Sequence, residues 1–163
     1  MLLYRRGAAG IEVFLVHPGG PFWSGREIGA WSIPKGECDD NEDPRCAAER
    51  EFAEETGVRL TVPLEELTTV RQSRGKEVRC WIAEGDLDPE RLRSNSFTME
   101  WPPHSGRRQE FPEADRGAWF AVDAARSALV PGQRPLMDAL CMRLQNGRGD
   151  PADAAAQGEE QHR

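Results

Sequence analysis

No stretch of this sequence approaches the ~18 uninterrupted apolar residues that a membrane span requires, so no association with a membrane is expected. A basic excess is also missing. Lys and Arg number 21 against 28 Asp and Glu, and the formal net charge of −7 argues against a broad nucleic-acid surface, which shows as a basic stripe. The expected partner is therefore a small molecule and not a nucleic acid. Cysteine is sparse and scattered. Cys38, Cys46, Cys80 and Cys141 form neither a C-x-x-C pair nor the close spacing of a zinc site or disulfide framework, and are read as reduced thiols. The first residues lack the pattern of a secretory leader, because Arg5 and Arg6 stand where its apolar core would run. A cytoplasmic protein is expected. Past Asn146 apolar anchors are lacking as well, so residues 146–163 are expected to form a disordered tail.

What remains, residues 1–145, fits a single domain with one core. Met1 to Arg6 and Ile11 to His17 are β-like runs around a glycine-containing turn and predict an opening hairpin. From Pro18 to Gly36 the chain is rich in Gly, Pro and Trp, which favours a long ordered loop with at most a short strand at Trp31 to Ile33, and such loops usually serve a site. Asp43-Pro44 reads as an N-cap with Pro in the first turn, and Gly57 as a stop, predicting a helix from Pro44 to Thr56. A second hairpin is expected from Leu67 to Ser73 and Lys76 to Glu84, with further strands at Ser94 to Trp101 and Ala118 to Val122. Asp123 to Leu129 and Arg134 to Leu144 read as helices, the second with apolar Leu136, Leu140 and Leu144. This order predicts an α/β (α+β) fold with a largely mixed or antiparallel sheet and helices packed on it.

The Pro44 to Thr56 helix carries Glu51, Glu54 and Glu55 at i, i+3 and i+4, so the three carboxylates share a face, while Ala48 and Phe52 lie on another. Each like-charge pair at this spacing costs about 0.2–0.5 kcal/mol on an exposed helix, and Arg50 offsets part of it through Glu54. Charge runs usually mean only a solvated face. Here the surrounding residues point elsewhere. Gly36, Glu42, Arg50-Glu51-Phe52-Ala53-Glu54-Glu55-Thr56-Gly57 and Val58 stand at the spacing of the Nudix box, and at residue frequencies of roughly 5–7% per specified position a chance match is of order one in ten million. The chain thus resembles the Nudix hydrolases.

The resemblance implies an α/β/α sandwich with a mixed central sheet and hydrolysis of a phosphoanhydride bond in a nucleoside diphosphate-linked substrate. It implies that Glu51, Glu54, Glu55 and the Gly36 carbonyl hold divalent cations, Mg²⁺ or alternatively Mn²⁺, which prefer oxygen ligands. Arg50 would orient a metal-binding glutamate, Glu42 would tie the loop to the helix, and Glu54 is favoured as general base. Some members use a glutamate from a later loop. Glu113, six residues before Trp119, is the candidate for that position, with Glu110 behind it. Trp31-Ser32-Ile33-Pro34-Lys35-Gly36 resembles the W-x-x-P-K-G approach of members that hydrolyse dinucleoside polyphosphates, with Lys35 placed to meet a polyphosphate. A substrate such as diadenosine tetraphosphate is expected, the alternatives being a nucleoside triphosphate or another nucleoside diphosphate derivative, or nucleotide binding without hydrolysis. Among the aromatic residues Phe22, Trp23, Trp81 and Trp101 are candidates to stack on a base, Trp23 foremost for its Gly/Pro loop, whereas Trp31 and Trp119 read as core. With one tyrosine, Tyr4, the tyrosine stacking of some dinucleoside polyphosphate hydrolases does not transfer. The sequence is silent on oligomeric state.

Overall fold

The computed structural model of the chain describes residues 1–72 and 75–147. Strand β1 (Leu2–Gly7) turns into β2 (Gly10–Pro18), and the two pair antiparallel with Tyr4 opposite Val13. Side chains alternate across a strand, and here both faces are apolar. Leu2, Tyr4, Val13 and Leu15 enter one buried cluster, while Leu3, Phe14 and Val16 enter another on the opposite face. Strands buried on both sides belong in the interior of a sheet. The five-stranded order is β3-β4-β1-β2-β7, with β3 at Glu65–Arg71, β4 at Glu77–Glu84 and β7 at Ala114–Ala121. β1 pairs parallel with β4, and the other neighbours are antiparallel, giving the mixed sheet expected.

Helices cover both faces. On one, α1 (Pro44–Thr56) inserts the fully buried Phe52, with Ala48 beside it, against Leu3, Phe14 and Val16. On the other, α2 (Val122–Ala128) and α3 (Pro135–Asn146) contribute Ala125, Leu136, Met137 and Leu140 to the cluster around Leu2 and Leu15. Burying a Phe or Leu side chain contributes about 1.5–3 kcal/mol each, so this is where the sandwich is held. Trp31 and Trp119 are core residues: Trp31 meets His17 and Phe120 edge-on, and Trp119 meets Phe14 while donating its ring N–H to the Leu87 carbonyl. None of the helices among the described residues is long and apolar enough to cross a membrane.

The ends of α1 are set by its sequence. Asp43 accepts from the N–H groups of Arg45 and Cys46 at 3.0 and 3.1 Å, satisfying donors that a helix start leaves free. Gly57 closes the helix at φ 75°, where a side chain would be strained, and a Cβ there would also approach the Cβ of Arg93 to 2.8 Å. The close approach has a use. Arg93 donates its N–H to the Thr56 carbonyl at 2.9 Å and Asn95 donates to that of Glu54 at 3.3 Å, so the segment 93–95 satisfies the helix end.

The Pro18 to Gly36 loop is ordered, as expected, and its short strand reduces to two isolated bridges, Val16 with Ser32 and Trp31 with Leu129. Buried His17 anchors it, one ring nitrogen 2.9 Å from Asp115 Oδ1 and the other 2.7 Å from the Arg26 carbonyl oxygen. The second hairpin is present as β3 and β4, although Ser73, the end of its first predicted strand, and Arg74, in the predicted Arg74-Gly75 connection, lie outside the described residues. The helix α3 extends through Asn146, and the stretch read as a tail lies, beyond Gly147, outside the described residues too. One strand was not anticipated: β6 (Arg108–Pro112) pairs antiparallel with β5 (Ser96–Glu100) in a two-stranded ribbon separate from the main sheet.

Candidate active site

The face of α1 turned from the core presents Glu51, Glu54 and Glu55, with Arg50 among them. Arg50 makes both bonds of a fork to Glu42, at 2.9 and 2.9 Å, and spends its remaining donors on Glu51 at 2.9 Å, Glu54 at 3.3 Å and the Glu37 carbonyl at 3.0 Å. A planar guanidinium can serve several acceptors at once, which an ammonium on a flexible stem cannot do in fixed geometry. Glu42, followed by Glu51, holds the Arg50 pKa far above its usual value, while the same contact lowers that of Glu42. The 37–42 loop and the helix face are thereby one unit.

Gly36 and Lys35 meet that face from the other side. A Cβ on Gly36 would fall 1.8 Å from the Glu51 carboxyl carbon and from its Oε2, so only glycine lets the carboxylate lie against the backbone. Lys35 donates its backbone N–H to Glu55 Oε2 at 3.0 Å. Glu55 is partly buried, and that desolvation pushes its pKa up to about 7 despite the hydrogen bond from Lys35. The three carboxylates are thus pulled apart, Glu51 and Glu54 toward Arg50 and Glu55 toward Lys35. Among the described residues no three His, Cys, Asp or Glu side chains are gathered closely enough to hold a metal ion between them.

Lys35 links two cavities. One, of about 360 Å³, is lined by Lys35, Gly36, Glu51, Lys76 and Trp81. The other, of about 340 Å³, is lined by Pro18, Trp23, Ser32, Lys35, Gln72 and Pro131 among others. The residues expected to bind substrate, Lys35 and Trp23, therefore share a cavity, and Lys35 also reaches the glutamate side. Trp81, itself on β4, is buried with Arg79 over its ring, and Trp101 stacks edge-on with Phe22.

The backbone that carries Lys35 is held by a residue that sequence reading missed. Gln133, fully buried, accepts from the Ile33 N–H at 2.9 Å and donates to Ser32 Oγ at 2.9 Å. A glutamine in a Pro-Gly-Gln turn gives no local sign of a partner about a hundred residues away. Glu113 is exposed and is not among the residues lining the two cavities. Its backbone is fixed near the helix end instead: its N–H donates to the Asn95 carbonyl at 2.8 Å, and Asn95 in turn donates to Glu54. Glu110 is engaged with Ser96 on the ribbon.

A mixed sheet between helices, with a glutamate-faced helix set against a glycine loop, is the arrangement that the resemblance to hydrolases of phosphoanhydride bonds implied. The chain belongs to the Nudix family: the model of the NUDIX domain matches residues 2–140. An RNA pyrophosphohydrolase of Caulobacter vibrioides is 31% identical, the match covering 77% of this chain and 89% of the relative. That of Rhodospirillum rubrum is 28% identical, with 88% of each chain covered. Among solved structures, a C. elegans Ap4A hydrolase superposes with a TM-score of 0.59 at 23% identity over 89% of this chain and 96% of its own. The NUDIX domain of Shewanella oneidensis NrtR, solved with ADP ribose, does so at 0.58 and 21% over 88% and 84%. These two likenesses speak for the fold.

Proposed function

We propose that the protein is a Mg²⁺-dependent pyrophosphohydrolase of dinucleoside polyphosphates such as diadenosine tetraphosphate. The observation carrying this reading is the position of Lys35, shared by the Trp23 cavity and the Glu51 cavity. A nucleoside stacked on Trp23 would direct its phosphate chain past the Lys35 ammonium to the glutamates of α1.

The residues present fit a hard divalent cation. The donor set is all oxygen, from Glu51, Glu54, Glu55 and the Gly36 carbonyl, and Mg²⁺ or Mn²⁺ prefers such ligands. Glu55, raised to about 7 by burial, is a carboxylate that gains most from a neighbouring positive charge. Bound there, the metal would neutralise phosphate oxygens and acidify the attacking water. The chain's own groups do the rest. Glu54 holds only one long bond to Arg50, at 3.3 Å, and keeps an exposed carboxylate to take the proton of water as it adds to phosphorus. The P–O bond of the anhydride breaks, and diadenosine tetraphosphate gives adenosine triphosphate and monophosphate. Arg50 keeps Glu51 and Glu54 oriented, and Glu113 is the auxiliary carboxylate on the segment docked at the helix end.

A second reading replaces the dinucleotide by the 5′-triphosphate end of an RNA, favoured by the names of the curated relatives. A net charge of −7 disfavours a broad nucleic-acid surface, not capture of one chain end. The test is incubation with Mg²⁺ and diadenosine polyphosphates, nucleoside triphosphates, nucleotide sugars and triphosphorylated RNA, with products resolved by chromatography. Fastest loss of diadenosine tetraphosphate upholds the first reading. Pyrophosphate release from RNA selects the second, and nucleotide binding without turnover would leave a non-catalytic Nudix domain.

A further inference from the structure

The β5–β6 ribbon has two chemically different faces. Alternation puts Phe97, Met99 and Trp101 on one side, and their cross-strand partners Phe111, Gln109 and Arg107 on the same side. Ser96, Thr98, Glu100, Arg108 and Glu110 occupy the other. The carboxylates are thus confined to one face, where Glu100 accepts from the Gly106 N–H and Glu110 from Ser96. The aromatic face carries an arginine and no acid.

This face is only partly covered. The Pro18 to Gly25 loop lies along it, with Gly20 close enough that a Cβ would stand 3.1 Å from the Phe97 ring, and with Phe22 edge-on to Trp101 at 5.4 Å. Yet Phe22 remains 60% exposed and Phe97 36%. Exposed aromatic rings beside an arginine are what sequence-tolerant binding of single-stranded nucleic acid requires, since every base has a π-face to stack and every linkage a negative charge. Adjacency along the chain gives a direction. Phe22 directly precedes Trp23, and Trp23 lines the cavity that ends at Lys35.

We propose that the face formed by Phe22, Phe97, Trp101 and Arg107 binds the single-stranded RNA that follows a 5′-terminal nucleotide seated beside Trp23. This rests on the second of the two substrate readings. The 5′ phosphates would point to Lys35 and the glutamates, and the 3′-going chain would pass from Phe22 onto Trp101 and Arg107. A dinucleoside polyphosphate has no 3′ extension to place there.

The test is binding of a 5′-monophosphorylated RNA hexamer, measured by fluorescence anisotropy, against the corresponding mononucleotide. The native protein should hold the hexamer about tenfold or more tighter, at the low end of one stacked base per exposed ring. Phe22→Ala, Trp101→Ala and Arg107→Gln should each lower that hexamer-to-mononucleotide ratio severalfold. Phe22 and Arg107 are exposed, so they carry the test even if loss of Trp101 disturbs the ribbon. A native ratio near one, or variants that leave the ratio unchanged, would overturn the proposal. Length-dependent binding without pyrophosphate release from a triphosphorylated hexamer would keep the surface and remove the catalytic reading. Release that is independent of length would do the reverse.

Discussion

The two cavities that meet at Lys35 are held together by opposite means. On the α1 side, charge is crowded: three carboxylates share a helix face, one guanidinium bonds to three of the surrounding glutamates, and burial raises Glu55 to about 7. On the Trp23 side the lining is mostly apolar, and the backbone is fixed by neutral hydrogen bonds from Gln133. A crowded charge cluster costs stability and is suited to chemistry that brings in positive charge. A neutral pocket fixed by buried amide bonds suits selection of a nucleoside. Changes on the first side should therefore act on turnover and on pH dependence, and changes on the second on affinity.

The largest expected effect is that of Glu54→Gln. Removing a general base costs about 10²–10⁴-fold in turnover, and the fold should survive because Glu54 is exposed. Circular dichroism alongside a kcat measurement checks both, and near-native kcat would put the base elsewhere, with Glu113→Gln the next variant to make.

Glu55 sharpens the contrast through pH. Its raised pKa in the folded chain means that folding favours the protonated carboxyl. That contribution is complete below the ordinary value of 4.5 and is lost as pH rises through about 7. The interval corresponds to about 3 kcal/mol at most. Metal-free protein should therefore melt at a lower temperature at pH 8 than at pH 5 by more than Glu55→Gln does. Millimolar Mg²⁺ should restore the native protein at pH 8, as a ligand selective for the folded state must. Equal pH dependence in the variant and the native chain would show that Glu55 is not the group responsible.

Arg50→Lys comes third. The charge stays, but the fork to Glu42 and the simultaneous bonds to Glu51, Glu54 and the Glu37 carbonyl do not. Loss of a residue that orients metal ligands costs about 10–100-fold in affinity or activity, so the Mg²⁺ concentration for half-maximal turnover should rise by that order. An unchanged Mg²⁺ titration would reduce Arg50 to a loop tie.

The same contrast separates what could be read from the sequence from what could not. The boundaries of α1 were legible because Asp43, Pro44 and Gly57 mark them locally, and the glutamate face because helical spacing is fixed. The layers followed from the order of strands and helices along the chain, and the burial of β1 and β2 on both faces agrees with them. β6 was not legible. Arg108-Gln-Glu-Phe-Pro112 is mostly exposed and pairs only with β5, so no burial pattern imprints it. Nor was Gln133, whose partners lie a hundred positions away. On the charged side the chemistry sits in one contiguous motif. On the neutral side it is assembled from the Pro18–Lys35 loop, Gln72 and the Pro131 turn, which only folding brings together.

The smallest effect, and the one that tests the neutral side directly, is that of Trp23→Ala. The ring is partly buried and packs on the core, with Arg26 over it at 5.9 Å, so its loss removes both a wall of the cavity and some loop support. A stacked base contributes about 1–3 kcal/mol by alanine substitution. The KM for the preferred nucleotide should rise about tenfold, while kcat changes little, because stacking on the nucleoside is the same in the ground state and the transition state. A fall in kcat at constant KM would instead mean that Trp23 acts through the loop, by displacing Lys35 from the glutamates, and the two sides of the site would then be mechanically one.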